Sequence, residues 1–85
     1  MYVVFVERGA EKDLRKLPPH LSAKVRNALL DLRSHPRPLG VHKLVGSRHD
    51  WRIRIGDYRI LYEIDDHERM VKVYRIKHRR EVYRF

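Results

Sequence analysis

Arginine is the residue type best placed to do chemistry in this chain. Trp51-Arg52-Ile53-Arg54-Ile55 alternates apolar and basic residues, and Arg59 follows shortly after the pair Gly56-Asp57. Alternation with a period of two marks a half-buried strand. Gly-Asp between two such runs fits a two-residue hairpin turn of type II′, with glycine first. That turn would set Ile55 opposite Tyr58, Ile53 opposite Ile60 and Trp51 opposite Tyr62. Directly opposed residues share a sheet face, so these six side chains and Ile64 point one way, and Arg52, Arg54 and Arg59 point the other. Arg54 then stands across from Arg59, a like-charge pairing that costs a sheet stability. Guanidinium groups suit phosphate recognition, and fixed cations stabilise charge that builds on a reacting phosphate. The alternative is a solvated open face with Glu63 as partial balance. Three converging arginines in a strongly basic chain favour a binding surface.

The tail adds to this charge. Arg75, Lys77, Arg79, Arg80 and Arg84 stand against a single Glu81, with Tyr83 among them. A tyrosine there could stack on a base or move a proton; it could equally be a rim residue that anchors the end of the chain.

These side chains need a scaffold to position them. Tyr2 to Val6 is a β-branched and aromatic run that reads as a strand. Ala10, Leu14 and Leu17 recur at helical spacing, until Pro18-Pro19 stops the helix. A second helix is expected roughly from Pro19 to Ser34, with its apolar stripe on Leu21, Val25, Ala28, Leu29 and Leu32. Pro36, Pro38 and Gly40 mark the loop beyond. Strands at Trp51 to Ile55, Tyr58 to Ile64 and Met70 to Lys77 complete the order β-α-α-β-β-β. The expectation is an α+β fold: a helical hairpin packed on one face of a small four-stranded sheet, forming one domain over residues 1–85.

Composition narrows the function. Twenty Lys and Arg (14 of them Arg) oppose eleven Asp and Glu, giving a net charge of +9 on 85 residues. Such an excess predicts a polyanionic partner, either nucleic acid or an acidic protein segment. There is no cysteine, so no disulfide framework points to an oxidising compartment. Met1 to Phe5 is apolar but far too short for a signal peptide or a membrane span. A cytoplasmic protein with no membrane partner is expected.

The block Trp51-Arg-Ile-Arg-Ile-Gly-Asp-Tyr-Arg-Ile-Leu-Tyr-Glu-Ile64, followed by His78-Arg-Arg-Glu-Val-Tyr-Arg84, resembles the RelE toxins of the RelE/ParE toxin–antitoxin superfamily. The upstream pattern also fits: a strand, a helix ending Lys16-Leu17-Pro18, a second helix, a Pro-rich loop, then Lys43-Leu-Val-Gly46. The resemblance implies a toxin of a type II toxin–antitoxin system that acts as a ribosome-dependent endoribonuclease. Such toxins cut messenger RNA in the ribosomal A site, where the substrate 2′-hydroxyl attacks its own neighbouring phosphate. By position, Arg52 and Arg54 match the two basic residues before the family's turn, and Arg59 the arginine after it. Arg79 matches the arginine of the C-terminal motif, with Arg80 as the alternative, and Tyr83 the late tyrosine. These five (Arg52, Arg54, Arg59, Arg79 and Tyr83) are the implied catalytic residues. Lys43, Arg48, Lys77, His78 and Arg80 are the implied RNA-binding ones. No metal or cofactor is implied, which suits a chain with no Cys and no His/carboxylate ligand cluster. Some relatives carry lysine at the positions of Arg52 and Arg54. Arginine does not give up its proton, so a base would have to be Tyr83, His78 or, third, His49.

The implied partners are a cognate RelB-like antitoxin, the ribosome and its mRNA, and operator DNA through the antitoxin complex alone. Two other activities are open on the same fold. One is inhibition of DNA gyrase, as by ParE toxins. The other is a catalytically inactive homologue that binds antitoxin and DNA.

Overall fold

The computed structural model describes residues 1–44, 46 and 49–82. The chain runs β1 (Val3–Val6), α1 (Arg8–Arg15), α2 (Pro19–Asp31), β2 (His42–Lys43), β3 (Asp50–Ile55), β4 (Tyr58–Asp65), β5 (Met70–His78) and α3 (Arg79–Val82). The fold is α+β, with helices against a mixed sheet ordered β1-β5-β4-β3-β2. β1 lies parallel to β5, and every other pairing is antiparallel. Among the described residues the sheet therefore has five strands rather than four. The fifth, β2, has two residues, too few for alternation to announce it. α2 ends at Asp31, three residues short of the expected Ser34, and α3 is an element that the sequence pattern does not announce.

The β3–β4 hairpin has the expected register: Ile55 opposite Tyr58, Arg54 opposite Arg59, Ile53 opposite Ile60 and Trp51 opposite Tyr62. Gly56 has φ +58°, while Asp57 is not among the positive-φ residues. That is the pattern of a type II′ turn, and it explains why glycine comes first. Ile53, Ile60, Tyr62 and Ile64 pack with Val25, Leu29 and Leu32 of the α2 segment. Tyr62 is fully buried, and its hydroxyl donates to the Pro36 carbonyl at 2.8 Å, fastening the Pro-rich loop to the core. Burial pushes its phenol well above the ordinary tyrosine range.

α1 runs on past the end of β1 and lies beside β5. Gly9 permits this approach: a Cβ there would meet Arg75 Cδ at 3.1 Å and the Tyr74 carbonyl at 3.2 Å. Asp13 of α1 accepts the Ile76 backbone N–H at 2.9 Å, and so takes up a strand-edge donor beyond the last β1 pairing. It also accepts from Arg75 Nε at 2.9 Å and lies 3.4 Å from Lys77 Nζ. Burial alone would raise the Asp13 pKa. The Arg75 hydrogen bond, the Ile76 amide and the Arg75 and Lys77 charges outweigh it and hold the carboxyl below its usual value.

A carboxylate with a depressed folded-state pKa stabilises above its unfolded value and loses that contribution as pH falls through the folded one. The stability gap between the wild type and Asp13→Asn, measured by urea unfolding, is therefore expected to be full at neutral pH. It should close below about pH 4. A gap unchanged by acid would contradict this account.

Candidate phosphate-binding face

Cross-strand registers lay out the open face of the sheet as a grid. One row runs His42, Arg52, Leu61, Arg75; the next runs Arg54, Arg59, Lys77; on the other flank of the first stand Asp50, Glu63 and Lys72. Two rows thus carry five cations of Lys and Arg, and the third carries two carboxylates.

A β-bulge puts two of those cations in place. The β4–β5 register shifts between Leu61, which faces Arg75, and Tyr62, which faces Val73, so Tyr74 is an extra residue. Val71, Val73 and Ile76 are all buried on the helix side. Their spacing of two and then three residues is possible because the bulge switches the phase of β5. Without it Arg75 and Lys77 would point into the core. Tyr74 at the bulge is hydrogen-bonded to Asp50, and burial together with that carboxylate pushes its phenol up to about 12.

Leu61 is the floor of the face. It is 2% exposed, yet it lies on the open side of the sheet between Arg52 and Arg75, apart from the helix-facing core cluster. Long cationic side chains cover apolar surface with their stems while their heads stay in water. An apolar residue directly between two arginine positions is the sequence signal for this arrangement, and it stands inside an otherwise regular alternation.

The turn gathers three of the five catalytic candidates. Arg54 Nε and Arg59 Nη1 both donate to the Gly56 carbonyl, at 3.4 and 3.3 Å, and Arg59 Nη1 also donates to the Tyr58 carbonyl at 3.1 Å. Arg79, the first residue of α3, donates its backbone N–H to the Asp57 carbonyl at 2.7 Å, and its Nε lies 3.8 Å from Asp57 Oδ1. One two-residue turn therefore ties down three arginines from three elements. Lys77 sits beside Arg59 and also lies 3.5 Å from Glu81 of α3. The Arg80 side chain is exposed, and its backbone N–H donates to His78 Nδ1 at 3.2 Å.

Two expected RNA contacts lie elsewhere. Lys43 pairs with Trp51, and its Nζ stands 5.9 Å from the Trp51 ring centroid, on the side away from Arg52. His78 stands opposite Tyr58 with their rings edge-on at 5.4 Å, beside a cleft of about 230 Å³ that also borders Asp13 and Glu81. Side chains alternate across a strand, and both residues fall on the helix-side parity. His49 lines a different cleft with Glu63, Asp65 and Lys72, at the acidic end of the sheet. Arg48 and Tyr83 lie outside the described residues. Among the described residues no three His, Cys, Asp or Glu cluster to hold a metal ion, and no helix is long and apolar enough to cross a membrane.

The family model for the ParE toxin of type II toxin–antitoxin systems, parDE, matches residues 4–83. Toxin RelG of Mycobacterium tuberculosis is 39% identical over 87 residues, covering 98% of this chain and 97% of the relative. The toxin–antitoxin complex RelBE2 of the same organism superimposes with a TM-score of 0.79 at 34% identity, covering 91% of this chain and 96% of that one. The archaeal RelE–RelB complex of Pyrococcus horikoshii superimposes with a TM-score of 0.83 at 28% identity, covering 92% and 94%. With nearly its whole length matched, the chain belongs to the RelE/ParE superfamily of type II toxin–antitoxin toxins, and within it to the RelE type.

Proposed function

We propose that this toxin is a ribosome-dependent endoribonuclease that cuts mRNA in the A site and so stops translation. The observation that carries this reading is the pair of cationic rows on the open sheet face, with Leu61 buried beneath them and three arginines fastened to one turn. In the cut, the 2′-oxygen bonds to the adjacent phosphorus as its proton leaves. The bond to the 5′-oxygen breaks, and that oxygen takes up a proton from water. The products are a cyclic phosphate and a 5′-hydroxyl.

Negative charge builds on the phosphate during this step. Arg59 and Arg79 stabilise it, Arg52 and Arg54 hold the backbone, and Lys77 of β5 and Arg80 of α3 extend the contact. Donors already fixed where charge develops often lower a reaction barrier more than any other single device in an enzyme. Tyr83 stacks on a base or moves a proton. No metal takes part.

A RelB-like antitoxin is the proposed partner, since the solved relatives include RelE–RelB complexes. A chain of charge +9 favours an acidic segment that covers the basic face. Operator DNA would be reached through that complex. The ParE description of the matching family favours one rival, inhibition of DNA gyrase.

Cell-free translation and gyrase supercoiling, each run with the purified toxin, separate the two. The expected result is arrested translation with truncated mRNA and unaffected supercoiling. Blocked supercoiling with intact mRNA would overturn the proposal in favour of the rival.

A further inference from the structure

The proposed cleavage needs a group that takes the proton of the attacking hydroxyl, and the arginines of the cationic rows do not supply one. Guanidinium groups stay protonated. Imidazole is the side chain that gives and takes a proton near neutral pH. The six histidines are His20, His35, His42, His49, His67 and His78. His20 is in α2, His35 lies beyond that helix, and His67 is in the β4–β5 turn. His78 falls on the helix side, and His49 borders the acidic end of the sheet, where Glu63 and Asp65 would repel a phosphate. His42 differs from all of these. It pairs directly with Arg52. Its neighbour Lys43 pairs with Trp51 and places its ammonium over the Trp51 ring, which fixes the orientation of the two-residue strand. Adjacent strand residues point to opposite faces, so His42 projects onto the open face beside Arg52, and it is exposed there.

Resting on the nuclease reading above, we propose that His42 is a further catalytic residue, a proton-exchanging group at the β2 end of the cationic face that takes the proton from the attacking 2′-hydroxyl. Among the described residues β2 is an edge strand and pairs with β3 alone. From β3 it is faced by Arg52 directly, and by Arg54 and Asp50 diagonally. Opposed strand side chains have Cβ atoms about 5 Å apart. Arg59 is the diagonal neighbour of Arg52 across β3 and β4, so a reacting phosphate held between these two arginines would bring its flanking ribose within reach of His42. The proton leaves the 2′-oxygen for the imidazole as the oxygen–phosphorus bond forms. It returns to solvent once the cyclic phosphate and the 5′-hydroxyl have separated.

The test is the single-turnover rate of mRNA cutting in programmed ribosomes across pH 5.5 to 8.5 (from about one unit below to about two above the ordinary histidine value), for the wild type, His42→Gln and His42→Ala. The expected result is a rate that rises with pH through the imidazole range in the wild type. His42→Gln should lower it by about 10²-fold or more and lose that rise. Ribosome binding should stay unchanged, and added imidazole should restore part of the His42→Ala rate. A His42→Gln enzyme that keeps both the rise and a rate within about threefold of wild type overturns the proposal and leaves the nuclease reading standing. So does a His42→Ala enzyme that imidazole does not rescue. A folded wild type that cuts nothing at any pH overturns both.

Discussion

Arg59→Ala is expected to slow mRNA cutting by about 10²–10³-fold, the cost of removing one preorganised donor from a charge-stabilising site. Arg59 is the middle cation of its row, between Arg54 and Lys77. Its guanidinium is held against two backbone carbonyls of the turn and is therefore fixed before substrate arrives. The fold should survive, because its side chain points away from the helices and its loss relieves a like-charge pairing with Arg54. Arg59→Lys keeps the charge but loses the planar fork, and should fall between the two. Single-turnover cutting in programmed ribosomes, with thermal unfolding of the same samples, measures both effects. A variant that unfolds, or one that cuts at the wild-type rate, would contradict the assignment of faces or of role.

Its neighbour should behave in the opposite way. Ile60 is fully buried, opposite Ile53 on one side and Ile76 on the other. Ile60→Ala leaves a cavity at the centre of the sheet's covered face, and is expected to cost about 2–5 kcal/mol of stability. In a domain of this size each kcal/mol lowers the unfolding midpoint by about 4–8 °C. Chemical denaturation gives the free energy directly. Below the transition, cutting per folded molecule should match the wild type. Two adjacent residues, one lost to activity and one to stability, constitute a test of the sheet's two-sidedness. A loss under about 1 kcal/mol would mean that Ile60 is not in the core.

The hairpin is legible in the sequence because its alternation is regular and the Gly-Asp pair permits one turn, so the positions of Arg52, Arg54 and Arg59 follow. Less regular features are not. β2 is too short to show a period, so Lys43 can be read only by its place in a motif. The pairing that turns it toward Trp51 and puts His42 on the open face has no local signal. The bulge at Tyr74 is present in the sequence as the break in spacing from Val71 and Val73 to Ile76. The positions of Arg75 and Lys77 depend on that break. Leu61 looks like one more core residue of β4, and its parity with Arg59 is what sets it under the arginines. Asp13 reads as one of several charges on α1. Its role depends on β1 ending early and leaving the Ile76 amide to be met from a helix, a long-range contact that no local pattern encodes.

The central claim is that the cationic face cuts mRNA on the ribosome. Primer extension on an mRNA in programmed ribosomes with an empty A site tests it most directly. Cuts phased to the A-site codon in the presence of the wild type, and absent with Arg59→Ala, are the predicted result. An uncut mRNA in the presence of folded wild-type protein would contradict it.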